Sequence, residues 1–230
     1  MRNLGNLAKV YTIVTFILVL LPAFAPYVRA QGGSVTLNPT DDTYAYWNDD
    51  PDSSHGAATQ LKVSEIYYVS FLKFNLSNVP EGARDFTAIL ELYCKVCSVA
   101  DTYPAYLCLN NSWSEETLNY CNLPSIGDLY LDSETVSTAE TWHSWIVTAS
   151  VENATLRNAT EVSIMVGEFW GAAPSPWAYF NSKEAGKYIP KLTIEWNAVP
   201  EFPPFLIMSS FMVTTLLVAT IYRRKHKVVQ

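Results

Sequence analysis

From residue 67 to residue 196, apolar and polar side chains alternate with a period of two, one stretch after another. The clearest case runs from Phe86 to Val96, where Ala88, Leu90 and Leu92 fall on one side and Ile89, Glu91 and Tyr93 on the other. Successive side chains of a strand point to opposite faces, so this pattern buries one face of a sheet and leaves the other accessible. Tyr67–Phe74, Tyr106–Leu109, Trp145–Thr148, Val162–Val166 and Leu192–Trp196 carry the same β-branched and aromatic signature. Turn-forming residues separate them at Asn48–Asp52, Val79–Gly82, Leu123–Asp128 and Ala173–Pro176. Helical periodicity is nearly absent, and one short helix is expected around Thr148–Arg157. The chain is therefore expected to be all-β, an antiparallel jelly-roll β-sandwich.

The two ends follow a different logic. Arg2 and Lys9 precede an apolar run over residues 10–21, and Val28-Arg29-Ala30 has the small-x-small form of a signal-peptidase site, so residues 1–30 read as a signal peptide. Residues 205–222 are apolar and about 18 residues long, enough for one transmembrane helix. Arg223, Arg224, Lys225 and Lys227 follow at once, and such a basic cluster stays cytoplasmic, so residues 223–230 read as a cytoplasmic tail. The proline-rich stretch 197–204 would be a stiff linker. The expected protein is a single-pass membrane protein of the cell surface, displaying one ectodomain over residues 31–196.

Charge narrows the partners. Residues 31–200 hold eight Lys/Arg and twenty-one Asp/Glu, a net charge of 8 − 21 = −13, while the whole chain stands at −7 because basic residues crowd its termini. Such a domain repels nucleic acid at long range. Cys94, Cys97, Cys108 and Cys121 lie close together, and in an exported domain they read as two disulfides with three possible connectivities. A hairpin centred near Asp101 would set Cys94 opposite Cys108 and leave Cys97 for Cys121. Asn75, Asn110, Asn153 and Asn158 begin glycosylation sequons.

A set of segments, in order, is similar to a known family. They are Asp42-Thr43-Tyr44, His55-Gly56 with Leu61-Lys62-Val63, and Ser70 to Ala83. Ala88 to Tyr93, Trp113 to Leu118, and Trp142 with Val147-Thr148 come next, and Phe180 to Glu184 with Pro190 to Ile194 close the series. Across residues 35–196 the chain resembles the DNRLRE domain, also classed as carbohydrate-binding module family 96. The resemblance implies a β jelly roll displayed on secreted or surface proteins, often of archaea and bacteria, and binding of polysaccharide. Asn119-Tyr120-Cys121-Asn122 departs from the Thr-Trp-Asn-Asn expected there. The strong negative charge sits badly with an anionic glycan such as alginate, which that class is reported to bind. Val199-Pro200-Glu201-Phe202-Pro203 resembles the archaeal Pro-Glu-Phe type C-terminal sorting signal.

Sugars stack on exposed rings held by a rigid scaffold. Tyr46 and Trp47 beside the Asn48–Asp52 loop, and Trp170, Trp177 and Tyr179 around Gly171–Pro176, are therefore the expected ligand-binding residues. Trp113, Trp142, Trp145 and Trp196 lie on or beside strands, where core packing is expected for most. Asp41, Asp42 and Asp49, with Asp50 and Asp52 nearby, concentrate hard oxygen ligands, and a structural calcium ion is the one cofactor they could hold; a solvated acidic loop is the plainer reading. Lys183 and Glu184 read as a structural ion pair. His55 and His143 lie in no catalytic motif, and no catalytic residue is assigned. The expected function is non-catalytic binding of envelope or environmental polysaccharide. The alternative is a structural or adhesive envelope component that contacts proteins, with a polysaccharide-degrading enzyme as the third reading.

Overall fold

The computed structural model describes residues 32–48, 50–168 and 176–198, together with Met212, Thr215 and Leu216. Eleven strands follow one another along these residues: β1 Gly33–Leu37, β2 Asp41–Tyr46, β3 Gln60–Ser64, β4 Tyr68–Asn75, β5 Ala83–Cys97, β6 Asp101–Cys108, β7 Ile126–Val136, β8 Thr141–Ile146, β9 Glu161–Val166, β10 Trp177–Asn181 and β11 Lys191–Ala198. The helix α1, Thr148–Leu156, lies between β8 and β9. Gln31–Ala198 is one compact unit.

All strand pairs are antiparallel, and they build two sheets. The first has the order β1-β11-β5-β10-β3 with β8 also on β5, and the second has β2-β4-β9-β6-β7. Strand β5 organises the first sheet because its fifteen residues outrun any single partner. Glu91 has Lys191 on one side and Ser144 on the other, while Cys94 has Phe180 and Thr141. Strands β10 and β11 therefore lie end to end along one edge of β5, and β8 takes the opposite edge. Residues 182–190, between β10 and β11, leave the sheet as an excursion. The register of β10 on β5 shifts between Tyr179 and Phe180, an extra residue that kinks the strand locally.

The alternation read from the sequence decides what the sheets bury. Ala88, Leu90, Leu92 and Cys94 of β5 join Leu72, Phe74, Leu107, Ile164 and Phe180 in the principal core. A smaller cluster of Ala45, Val69, Phe71, Cys108, Trp113, Leu118 and Met165 is packed separately. Trp145 ties the two sheets: it is fully buried, packs edge-on against Phe180, and donates Nε1–H to the Tyr103 carbonyl of β6 at 2.8 Å.

Several expectations change. β8 ends at Ile146, and Thr148 opens α1 with its hydroxyl accepting the Ala88 N–H at 3.0 Å. Ile126–Asp128 is no turn but the start of the eleven-residue β7. Asp41 and Asp42 belong to β2, and Asp42 is only 1 % exposed, so these two are not part of a solvated loop, whereas Asp50 and Asp52 are exposed beyond the strand. β5 and β6 do not form a hairpin; they lie in different sheets, so Cys94 faces the principal core and Cys108 the smaller cluster. The four cysteines are free thiols: Cys94 is hydrogen-bonded to Cys97 and pushed up to about 12, mainly by burial, and Cys121 is hydrogen-bonded to Asp52. The β5–β6 hairpin from which the Cys94–Cys108 pairing was expected is not formed. Among the described residues no helix is long and apolar enough to cross a membrane. The expected span 205–222 falls outside the described residues except at Met212, Thr215 and Leu216, which are helical. The signal peptide, the tail and the Pro-Glu-Phe segment also lie outside them.

Replacing a fully buried tryptophan by alanine removes its packing and leaves a cavity. Trp145→Ala also strands the Tyr103 carbonyl, and it should cost about 3–5 kcal/mol in chemical denaturation.

Candidate functional site

Two groups of side chains stand out, one acidic and buried, the other aromatic and accessible. The acidic group starts at Asp42, whose backbone N–H donates to Glu115 Oε2 at 3.0 Å while its own Oδ2 accepts the Lys183 N–H at 2.8 Å. The Lys183 ammonium donates to Glu115 Oε1 at 2.7 Å and reaches Glu184 Oε1 at 2.9 Å. Asp41 accepts the Glu115 N–H at 3.2 Å and pairs with the buried Lys73 at 3.4 Å, and Lys73 donates to the Trp113 carbonyl. Strand β2, the loop after β6 and the excursion 182–190 are thus stitched at one point. Gly56 closes against it: a Cβ there would stand 2.4 Å from the Glu115 carbonyl oxygen, so only glycine fits.

Charge in this group is incompletely balanced. Asp42 Oδ1 and Glu184 Oε2 are buried with no N–H donor to meet them, and the two side chains share a hydrogen bond only where one carboxyl is protonated. Asp42, Glu115 and Glu184 offer carboxylate oxygens within 4.8 Å of one another. A proton on Asp42 relieves the repulsion, and its carboxyl is raised to about 8, first by burial and then by the charges of Glu184 and Glu115, against the lowering bond from Lys183. Burial alone would lower the Lys183 ammonium, but its bonds to Glu115 and Glu184 raise it. A divalent cation could replace the proton at the same oxygens.

The aromatic group lies where β3, an edge of the first sheet, meets β2 and β4 of the second. Leu61 and Val63 enter the core, so Lys62 between them faces away from it. Its ammonium lies 4.7 Å from the Tyr44 ring centroid and 5.3 Å from those of Tyr68 and Tyr179. Burial on its own would lower this ammonium; a hydrogen bond with Tyr44 and the surrounding tyrosines raise it instead. The cation is held at a defined point and stays charged. Rings extend from it on both sides: Tyr46 stacks on Tyr68 at 4.6 Å, and Trp177 packs on Tyr179 at 4.5 Å. His55 stacks on Tyr44 at 4.2 Å with only 4° between the planes, which gives it a packing role.

Of the five expected ligand residues, the structure brings Tyr46, Trp177 and Tyr179 into this patch. Trp177 and Tyr179 do so as outward positions of β10, not as loop residues, since Ala178 and Phe180 alternate into the core. Trp47 is 42 % exposed and leans on Tyr120. Trp170 and Asp49 lie outside the described residues. Asp41 and Asp42 meet Lys73, Glu115 and Lys183, and the third carboxylate near Asp42 is Glu184. Among the sequons, Asn75, Asn110 and Asn158 are exposed and Asn153 lies on α1, half-buried. Sequence reading missed Lys62 and Tyr68; the signal for Lys62 was its place between two core aliphatics.

The model of carbohydrate-binding module family 96 matches residues 33–196, the whole two-sheet unit. The chain belongs to that family. Carbohydrate-binding modules are non-catalytic as a class, so carbohydrate is the ligand to seek on this family 96 module. No curated protein matches the chain.

An acid whose folded-state pKa is raised holds a proton that the unfolded chain gives up, so its contribution to stability is complete below about pH 4 and is lost as pH rises toward 8. Asparagine imitates the protonated acid at constant charge. Asp42→Asn should therefore flatten the decline of Tm between pH 4 and 8, and parallel wild-type and variant curves in thermal scans would refute the assignment. A calcium-dependent rise in Tm of the wild type alone would identify a cation as the balancing charge.

Proposed function

We propose that this family 96 module binds polysaccharide on the aromatic patch centred on Lys62, as a jelly-roll domain displayed outside the cell and tethered through residues 205–222. The carrying observation is the Lys62 ammonium set among the rings of Tyr44, Tyr68 and Tyr179, with Tyr46, Trp177 and Tyr179 partly accessible around it. The rings offer flat apolar surfaces for pyranose faces, and the lysine offers N–H donors for a hydroxyl or carboxylate.

Charge enters this reading more than the net −13 suggested. At physiological ionic strength charges are screened beyond about 8 Å, so a ligand in contact with Lys62 meets that ammonium rather than the distant acids. The preferred ligand is a chain of sugar rings carrying an acidic group, with a neutral glucan bound more weakly. The Asp42 network holds β2 and the excursion in place and does not touch the ligand in this reading.

Binding is measured by affinity electrophoresis and calorimetry of the full-length chain against alginate and against the neutral glucan laminarin, with and without a chelator. Lys62→Met should lower alginate affinity about tenfold or more, the loss of a charged hydrogen bond worth about 1.5–3 kcal/mol, and should weaken the response to salt. Trp177→Ala should weaken both ligands with circular dichroism unchanged. A wild-type chain that binds neither polysaccharide, with or without calcium, defeats the proposal and leaves the structural reading in possession.

A further inference from the structure

A second set of rings lies on the same side of the first sheet, apart from the Lys62 patch. Leu92 and Cys94 of β5 enter the core, so Tyr93 faces away from it, and Trp142 of β8 sits directly across. Their rings meet edge to face at 5.5 Å. From the excursion between β10 and β11, Tyr188 stacks on Tyr93 at 4.5 Å and is 50 % exposed. Lys191 of β11 lies 4.4 Å from the Trp142 ring centroid and pairs with Glu91 at 3.2 Å; Lys187 stands 5.6 Å from the Tyr188 centroid.

The backbone here is strained at two non-glycine residues. Tyr188 has φ +52°, a left-handed conformation that costs a bulky residue energy and suits glycine. Gly186, two residues earlier, already takes φ +75° at no steric cost, so the turn has its permissive residue. Glu140, whose N–H donates to the Cys94 carbonyl one residue from Tyr93, is also left-handed at φ +58°. Two of the four such non-glycine residues among those described thus sit at one cluster of accessible rings. Strain of this kind persists where the surroundings over-determine it and gathers at ligand sites.

We infer that Tyr93, Trp142 and Tyr188, with Lys187 and Lys191, form a second polysaccharide subsite that takes a further stretch of the chain held at Lys62. This rests on the reading of the module as a glycan binder. The strand order from Lys62 is β3, β10, β5, β8, and three inter-strand steps span about 14 Å. One sugar ring cannot touch both sites, whereas an oligosaccharide crossing the strands can. The exposed Lys95, the next outward position on β5 after Tyr93, lies between them. The occupant is a glycan because the cluster presents three ring faces beside two ammonium groups that can donate to sugar hydroxyls. Linked subsites raise the affinity of long chains and leave short ones unchanged.

Tyr188→Gly removes the ring at a position whose backbone glycine accepts without strain, so the fold should be as stable as the wild type or more so. Trp142→Ala is the second variant, outside the strained loop. On the full-length chain, calorimetry with alginate or laminarin oligomers of increasing length, using whichever the wild type retains, should show affinity rising with length. Both variants should cut the long-chain affinity about tenfold and leave the shortest bound oligomer within about twofold. Long-chain affinity unchanged in both variants, while Lys62→Met lowers alginate affinity about tenfold or more, overturns the second subsite and leaves the proposed function standing. Binding lost equally at every length in Tyr188→Gly, with stability intact, would make this cluster the primary site and also overturn the two-subsite arrangement. A wild type that binds neither sugar overturns both readings.

Discussion

The Asp42 carboxylate is the point on which the accessible face depends. One side of it holds the Lys183 N–H, and its own N–H holds Glu115, so strand β2, the loop after β6 and the excursion 182–190 converge there. Each of those segments also carries something else. Strand β2 brings Tyr44 and Tyr46, and the excursion leads to Lys187 and Tyr188. Removing one partner of such a buried network leaves the others unpaired, which is far more costly than never having formed it. The network is thus a clamp that fixes the positions of these rings.

The six lysines of residues 31–200 divide by role. Lys73 and Lys183 are spent inside the acidic group. Lys62, Lys95 and Lys191 take outward positions on strands of the first sheet, and Lys187 stands on the neighbouring excursion. A domain of strongly negative total charge can thus set several lysines among the rings of one sheet face, with Lys191 also paired to Glu91 there.

Much of the fold was legible because strands that bury one face announce it. Phe86–Val96 and Leu192–Trp196 alternate openly, Val162–Val166 is a largely apolar run buried on both faces, and the helix from Thr148 is where it was expected. Strand β2 was hidden because Asp-Asp-Thr-Tyr-Ala-Tyr is buried by hydrogen bonds and rings rather than by aliphatic side chains. Strand β7 was hidden by Gly127 and its acids. Pairing was less legible still: a hairpin is the simplest way to join β5 to β6, yet the chain crosses from one sheet to the other, and the hairpin that would set Cys94 opposite Cys108 is not formed. Of the site, the rings of Tyr46, Trp177 and Tyr179 could be picked out. Lys62 and the Tyr93 cluster could not, since their meaning lies in which strands become neighbours.

At the edge of the first sheet Gly33 lies directly opposite Trp196, and a Cβ on Gly33 would stand 2.5 Å from that indole ring. The folded unit is entered and left through the same doorway, with its first and last strands hydrogen-bonded side by side. A unit with adjacent ends imposes almost no separation on whatever chain runs into and out of it. It can be spliced into a loop, strung in tandem or exchanged between polypeptides without redrawing the host. The bare glycine opposite the indole keeps that doorway narrow, and so makes the module portable.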